Sequence, residues 1–216
     1  MRPEPAEGRD AVLRAFDVSR ETAARLDAYV GLLRQWQAKT NLVADATLAS
    51  VWSRHVADSL QFQPLAAEVR RWVDLGSGGG FPALVTAILL VGREGAEVTL
   101  VESNAKKAAF LRTVIRELRL PAAVEARRIE EAGPVLAGAE AVSARALASL
   151  DLLCGFVAGR ISPQVPCFFA KGRQHGEEIV DASARWRFTV TAHASRVEDG
   201  AAILELRDIA PRGKDA

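Results

Sequence analysis

Apolar residues in the first third of the chain recur at helical spacing. Leu26, Tyr29, Val30, Leu33 and Trp36 share one face, Ser19 stands where an N-cap is needed, and Glu21 falls in the first turn. Thr40-Asn41 interrupts the pattern. A second helix is predicted over 47–61, with Leu48, Val51, Trp52, His55, Val56 and Leu60 on one side and Pro64 at or just past its end. A short helix is expected at 12–16. From residue 70 the period changes, and short β-branched or aromatic runs alternate with helical stretches. Strands are predicted at 71–75, 97–102, 122–127, 140–143, 166–170, 187–192 and 201–208, and helices at 82–91, 105–118, 150–158 and 177–185. Pro82 suits a first helical turn, and Asn104 suits a cap. Four βα alternations followed by two closely spaced strands predict an α/β, doubly wound, mostly parallel seven-stranded sheet. The last two strands, joined by Val197-Glu198-Asp199-Gly200, are expected to pair antiparallel. The expected division is a helical extension over 1–66, packed on a core domain over 67–216.

One loop carries chemistry. Val73-Asp74-Leu75-Gly76-Ser77-Gly78-Gly79-Gly80-Phe81-Pro82 lies between a predicted strand and a helix N-terminus, where open α/β sheets bind ligands. Gly76, Gly78 and Gly80 permit positive φ and close approach of backbone to a ligand, and the helix start offers free N–H groups. A Walker loop is excluded because no Gly-Lys-Ser/Thr ending follows. A dinucleotide fingerprint would want glycine where Phe81 stands. The acidic-x-Gly-x-Gly-x-Gly pattern fits S-adenosylmethionine, with Asp74 accepting from the ammonium of its methionine part and Ser77 beside it. Glu102, 28 residues on at the end of the second strand, is placed to accept from a ribose diol. That position supports an adenosyl cofactor without separating NAD from S-adenosylmethionine. Ile129 and Glu130, after the third strand, are candidates for the adenine wall and edge.

Composition bounds the rest. The chain has 216 residues, 49% hydrophobic and 25% charged, with 28 Lys+Arg against 27 Asp+Glu for a net charge of +1. That reads as globular and excludes a histone-like polycation or an acidic tail. The distribution is uneven: Lys106, Lys107, Arg112, Arg116, Arg119, Arg127 and Arg128 are opposed within 106–128 only by Glu117 and Glu125. Such a run is either a solvated helix face or one edge of a polyanion site. Arg145, Lys171 and Arg173, following the fourth and fifth strands, extend it toward the glycine loop. The longest apolar run, near 83–91, is too short for a membrane span, and 1–10 shows no secretory h-region. Cys154 and Cys167 read as buried free thiols, and His55, His175 and His193 are scattered, so no metal site is expected. Arg54 and His55 with Asp58 read as a helix-internal pair or an interface to the sheet. Trp36, Trp52 and Trp186 read as core. For Arg145, the structural alternative to a site role is a salt bridge to Glu140 or Glu102.

Taken together, several motifs resemble the RsmG (GidB) family. They are Asn41-Leu42, Arg54-His55-x-x-Asp58-Ser59, the glycine loop with Phe81-Pro82, Glu102-Ser103-x-x-Lys106-Lys107-x-x-Phe110-Leu111-Arg112, and Ser143-x-Arg145-Ala146-x-Ala148-Ser149-Leu150. The resemblance covers roughly 19–173. It implies a Rossmann-like methyltransferase sheet and transfer of a methyl group from S-adenosylmethionine to N7 of a guanine in 16S ribosomal RNA. It places cofactor contacts on Gly76, Phe81, Ile129-Glu130 and Arg145. RNA contacts are expected at Lys106, Lys107, Arg112, Arg116, Arg145, Lys171 and Arg173. The partner would be 16S rRNA or the small ribosomal subunit, with the protein a cytoplasmic monomer away from membranes. The chain departs from common family forms at Gly78-Gly79-Gly80-Phe81-Pro82-Ala83 and at Ala170-Lys171-Gly172, keeping the small and cationic positions. Alternatives are a methyltransferase of another substrate, a non-catalytic RNA-binding assembly factor, and an NAD-type oxidoreductase, the last opposed by Phe81.

Overall fold

A computed structural model describes residues 6–213, so part of the charged stretch 1–10 lies outside the described residues. The N-terminal part holds α1 (Ala6–Ala15), α2 (Arg20–Gln37), α3 (Asp45–Leu48), a π-helical turn (Trp52–Val56), α4 (Ala57–Ser59) and α5 (Phe62–Leu65). Ser19 caps α2 by accepting from the Thr22 N–H at 3.2 Å, as its position predicts. The helix expected at 12–16 is the end of the longer α1. The continuous helix expected at 47–61 does not form. It breaks after Leu48 and resumes with a π-turn, in which the Ala57 N–H reaches the Trp52 carbonyl. Pro64 sits in the short α5 that follows.

The sheet runs β3-β2-β1-β4-β5-β7-β6. Its strands are β1 (Arg71–Leu75), β2 (Glu97–Val101), β3 (Ala122–Glu125), β4 (Ala141–Arg145), β5 (Cys167–Lys171), β6 (Trp186–Ala194) and β7 (Ala202–Pro211). β1 to β5 pair in parallel, while β7 runs antiparallel between β5 and β6. Between the strands lie α6 (Ala83–Leu89), α7 (Ala105–Leu118), a 3₁₀ turn (Ile129–Glu131), α8 (Gly133–Ala137), α9 (Leu150–Val157) and α10 (His175–Ser183). Asn104 caps α7 by accepting from the Lys106 and Lys107 N–H groups. β4 starts one residue later than expected; Glu140, just before it, donates its N–H to the Arg71 carbonyl at 2.9 Å, and its carboxylate accepts from the Arg70 and Arg71 N–H groups, at 3.0 and 3.1 Å.

Successive side chains of a strand point to opposite faces, which builds two cores. Trp72 and Phe168 join α2, α6, α7 and the N-terminal helices on one face. Val73, Val142 and Phe169 join α8, α9 and α10 on the other. Strand order reverses between β1 and β4, which opens a crevice at their carboxyl ends.

Candidate active site

The glycine loop leaves β1 into that crevice. Gly76, Gly78 and Gly80 all have positive φ, at +65°, +53° and +93°. At Gly80 a side chain would also strike Leu84, so the loop has no room there for anything but hydrogen. Gly78 differs: a Cβ would meet only the Gly76 carbonyl, at 3.7 Å. The N-terminal helices pin the loop from outside. The buried Tyr29 hydroxyl donates to the Gly79 carbonyl at 2.6 Å, and Phe81 stacks on His55 with ring centres 5.1 Å apart.

Glu102 ties the loop to the next strand. Its carboxylate accepts from the Gly78 N–H at 2.8 Å and from the Asn104 N–H at 2.7 Å. A carboxylate offers about four lone-pair positions, so acceptor capacity remains for a diol. Asp74, 1% exposed, accepts from the Ser143 hydroxyl at 2.6 Å through one oxygen. Its other oxygen has no hydrogen-bond partner among the described residues. Burial, with the nearby Glu102 charge adding to it, raises the Asp74 carboxyl to about 6. A buried carboxylate with an unused acceptor is the complement of an ammonium group, so these residues fit the amino-acid end of S-adenosylmethionine. Ser77 is buried beneath the loop, its hydroxyl donating to the Asp74 carbonyl at 3.3 Å.

Arg145 joins the two halves. Its guanidinium pairs with Asp58 at 3.2 Å, donates to His55 Nδ1 at 2.8 Å, and lies 5.2 Å from the centre of the Phe81 ring. Neither Glu140 nor Glu102 is its partner, so the salt bridge raised as the alternative to a site role does not form. The carboxylate comes from Asp58, 87 residues away in the chain. Of the two readings of Arg54, His55 and Asp58, a helix-internal pair or an interface to the sheet, the structure shows the interface. Burial, then the Arg145 and Arg54 charges, lower His55 to about 4, so the ring is neutral at pH 7. Since Nδ1 accepts from Arg145, Nε2 carries the hydrogen and donates to the Thr47 hydroxyl at 2.8 Å.

The cationic set is not brought together as a whole. Lys106, Arg112 and Arg173 are exposed and Lys107 half-buried. Arg112 makes a long contact to the Val124 carbonyl, and Arg173 donates to the Asp199 carbonyl. Arg116 is ten residues, about 15 Å, further along α7 than Lys106, toward the opposite end of the sheet, and it pairs with Glu117. Lys171 is a correction: its side chain is 7% exposed, and its ammonium is bound by Glu178 at 2.7 Å and the Ala148 carbonyl at 2.6 Å. It holds the loop after β4 and offers no face to a phosphate. Ile129 packs partly buried against the second core, and Glu130 is exposed. Trp52 is buried, and Trp36 packs on Phe110. Trp186 donates to Asp151. Sequence reasoning missed Tyr29 and Ser143 as supports of the loop; each looked like an ordinary core or strand residue. Among the described residues, no His, Cys, Asp and Glu group is placed to hold a metal ion, and no helix is long and apolar enough to cross a membrane.

Sheet order, glycine loop and the two acidic positions define a Rossmann-like methyltransferase fold. Solved structures share it. A putative O-methyltransferase from Klebsiella pneumoniae aligns with TM-score 0.59 and 12% identity over 93% of this chain and 96% of that one. A MtNAS variant in complex with S-adenosylmethionine aligns with TM-score 0.53 and 17% identity over 92% and 83%. The family model for GidB, rRNA small subunit methyltransferase G, matches residues 22–203. Curated relatives named Ribosomal RNA small subunit methyltransferase G include one from Rhizobium rhizogenes, 46% identical over 90% of this chain and 96% of its own length. Another, from Rhodopseudomonas palustris, is 45% identical over 99% and 92%. The chain belongs to the GidB family of small-subunit rRNA methyltransferases.

Proposed function

We propose that this protein transfers a methyl group from S-adenosylmethionine to N7 of a guanine in 16S ribosomal RNA, acting as a monomer in the cytoplasm. The observation that carries the cofactor half is the buried Asp74 with an unused oxygen beneath a glycine loop strapped by Glu102. Family membership carries the RNA half. When bound, the cofactor supplies an activated methyl group on a sulfonium. Asp74 holds its ammonium, Gly76, Ser77, Gly78 and Gly80 let the chain pass close to it, and Glu102 takes the ribose hydroxyls. Ile129 and Glu130 border the adenine, and Phe81 and Arg145 close the crevice. Guanine N7 carries a lone pair and no proton at neutral pH, so no general base is required. The low pKa of His55 agrees with a positioning role. The chain contributes alignment, for which pinned backbone is the means. Lys106, Lys107, Arg112 and Arg173 meet RNA phosphates. The N-terminal helices α1 to α5 brace the methyltransferase unit that follows them.

Thermal shift with S-adenosylmethionine and with NAD tests the cofactor, and tritiated methyl transfer to naked 16S rRNA and to 30S particles tests the reaction. Stabilisation by S-adenosylmethionine and labelled rRNA are expected. Stabilisation by NAD alone, or cofactor binding without labelled rRNA in either form, would overturn the reading.

A further inference from the structure

A cavity of about 250 Å³ lies between the π-helical turn, the ends of β4 and β5, and the β6–β7 connection. Small-molecule sites start near roughly 300 Å³, so it suits a single flat base rather than a longer ligand. Arg145 and His55 line it and also pack on Phe81, so it adjoins the glycine loop. Its charged lining residues are Arg54, Asp58, Arg145, Lys171 and Glu198.

Three of these five are committed within the chain. Asp58 accepts from Arg145 through one oxygen and from Gln61 through the other. Arg145 is held by Asp58 and His55, and Lys171 by Glu178 and Ala148. Glu198 is different: it makes a 3.5 Å contact with Arg54, and the two side chains stay 43% and 53% exposed. The carboxylate with the most unused acceptor capacity in the cavity is therefore Glu198.

We propose that this cavity receives the base to be methylated and that Glu198 makes it selective for guanine; the inference rests on the methyl-transfer reading above. Attack by N7 turns N7 and the neighbouring O6 toward the cofactor. The opposite edge of the purine then faces the far wall. In guanine that edge presents N1–H and the 2-amino group side by side, two donors that match the two oxygens of a carboxylate. Adenine also has N7 but presents an N1 lone pair and no 2-amino group, so the same carboxylate repels it. N7 itself is common to both purines; they differ at C6 on its own edge and at N1 and C2 on the other, and Glu198 reads the latter. A charge-assisted pair of hydrogen bonds supplies the selectivity. Glu198 exchanges its loose contact with Arg54 for the base.

The test compares 16S rRNA fragments carrying guanosine or inosine at the position methylated by the wild-type protein. Inosine keeps N7, O6 and N1–H and lacks the 2-amino group. The wild type is expected to prefer guanosine by about tenfold. Glu198→Ala should lower kcat/KM on guanosine roughly 10- to 100-fold. It should also bring the guanosine-to-inosine ratio to about one, with unchanged calorimetric affinity for S-adenosylmethionine. Glu198→Gln, which keeps the size and one acceptor, should fall between. No methylation of any RNA by the wild type would overturn the function on which this inference rests. A wild type that methylates guanosine, alongside Glu198 variants that keep both its rate and its preference, would overturn the assignment of Glu198 alone.

Discussion

The glycine loop and the cation-rich stretch from 106 to 128, which starts beside the crevice and runs along α7 to the opposite end of the sheet before returning through β3, are built in opposite ways. In the loop, backbone groups are tied to residues far away in the chain: Gly79 to Tyr29, Gly78 to Glu102, Ser77 to the Val101 carbonyl. In the cationic stretch, Lys106, Arg112, Arg119 and Arg128 are exposed, and Arg127 and Arg116 pair with near neighbours. Methyl transfer tolerates little misplacement, so its side of the crevice is rigid. Phosphate contacts act through charge over a distance, so flexible side chains suffice. Substitutions in the loop should therefore act steeply on one ligand, and those in the stretch shallowly on the other.

The largest effect is expected from Gly78→Asp. The site is open, and aspartate tolerates left-handed backbone, so the fold survives while the side chain fills the crevice beside Glu102. Calorimetry should show loss of S-adenosylmethionine binding with circular dichroism unchanged. Retained affinity would reduce the loop to a tight turn.

Asp74→Asn should lower cofactor affinity at least about tenfold, since it removes the anion facing the ammonium. It should also stabilise the free protein. The fold raises the Asp74 carboxyl to about 6, so the native state holds its proton longer than the unfolded chain does. Wild-type stability therefore falls as pH rises from the ordinary carboxylate range through about 6, by at most on the order of 3 kcal/mol, and Asn lacks that loss. Cofactor affinity of the wild type should rise over the same window. Melting curves and titrations at pH 5 and 8 check both signs.

Lys171→Met leaves Glu178 partly buried without its cation and should cost up to about 3 kcal/mol, read by urea unfolding. The salt dependence of RNA binding should not change. Tyr29→Phe removes the bond to the Gly79 carbonyl in a buried setting, a loss of about 1–2 kcal/mol, and should weaken cofactor binding more than RNA binding. Smallest is Arg112→Ala: a few-fold weaker RNA binding, with the slope of log affinity against log salt reduced by about 1 and cofactor affinity unchanged.

Much of this architecture is legible in the sequence, for identifiable reasons. The inner parallel strands β1, β2, β4 and β5 are mostly buried and so appear as short apolar runs, and Ser19 and Asn104 mark helix starts by the groups they cap. The glycine loop is legible because its backbone needs positive φ at three positions. The break in 47–61 is not. It accompanies contacts of His55 and Asp58 with Arg145, some 90 residues away, and local periodicity carries no trace of them. Lys171 resembled a free cation for a similar reason: its partner Glu178 lies on the following helix and is brought back over the end of β5 only by the fold. That Asp58 is the carboxylate facing Arg145 is not legible either, because the two lie 87 residues apart and only the packing of the helical part on the sheet brings them together.

The measurement closest to the central claim is transfer of labelled methyl from S-adenosylmethionine to 30S particles and naked 16S rRNA. The label is then mapped by chemical strand cleavage specific for N7-methylguanine. The expected result is a single labelled guanine, cleaved at that position. Label on another atom or base, or S-adenosylmethionine bound with no label on rRNA, would contradict it.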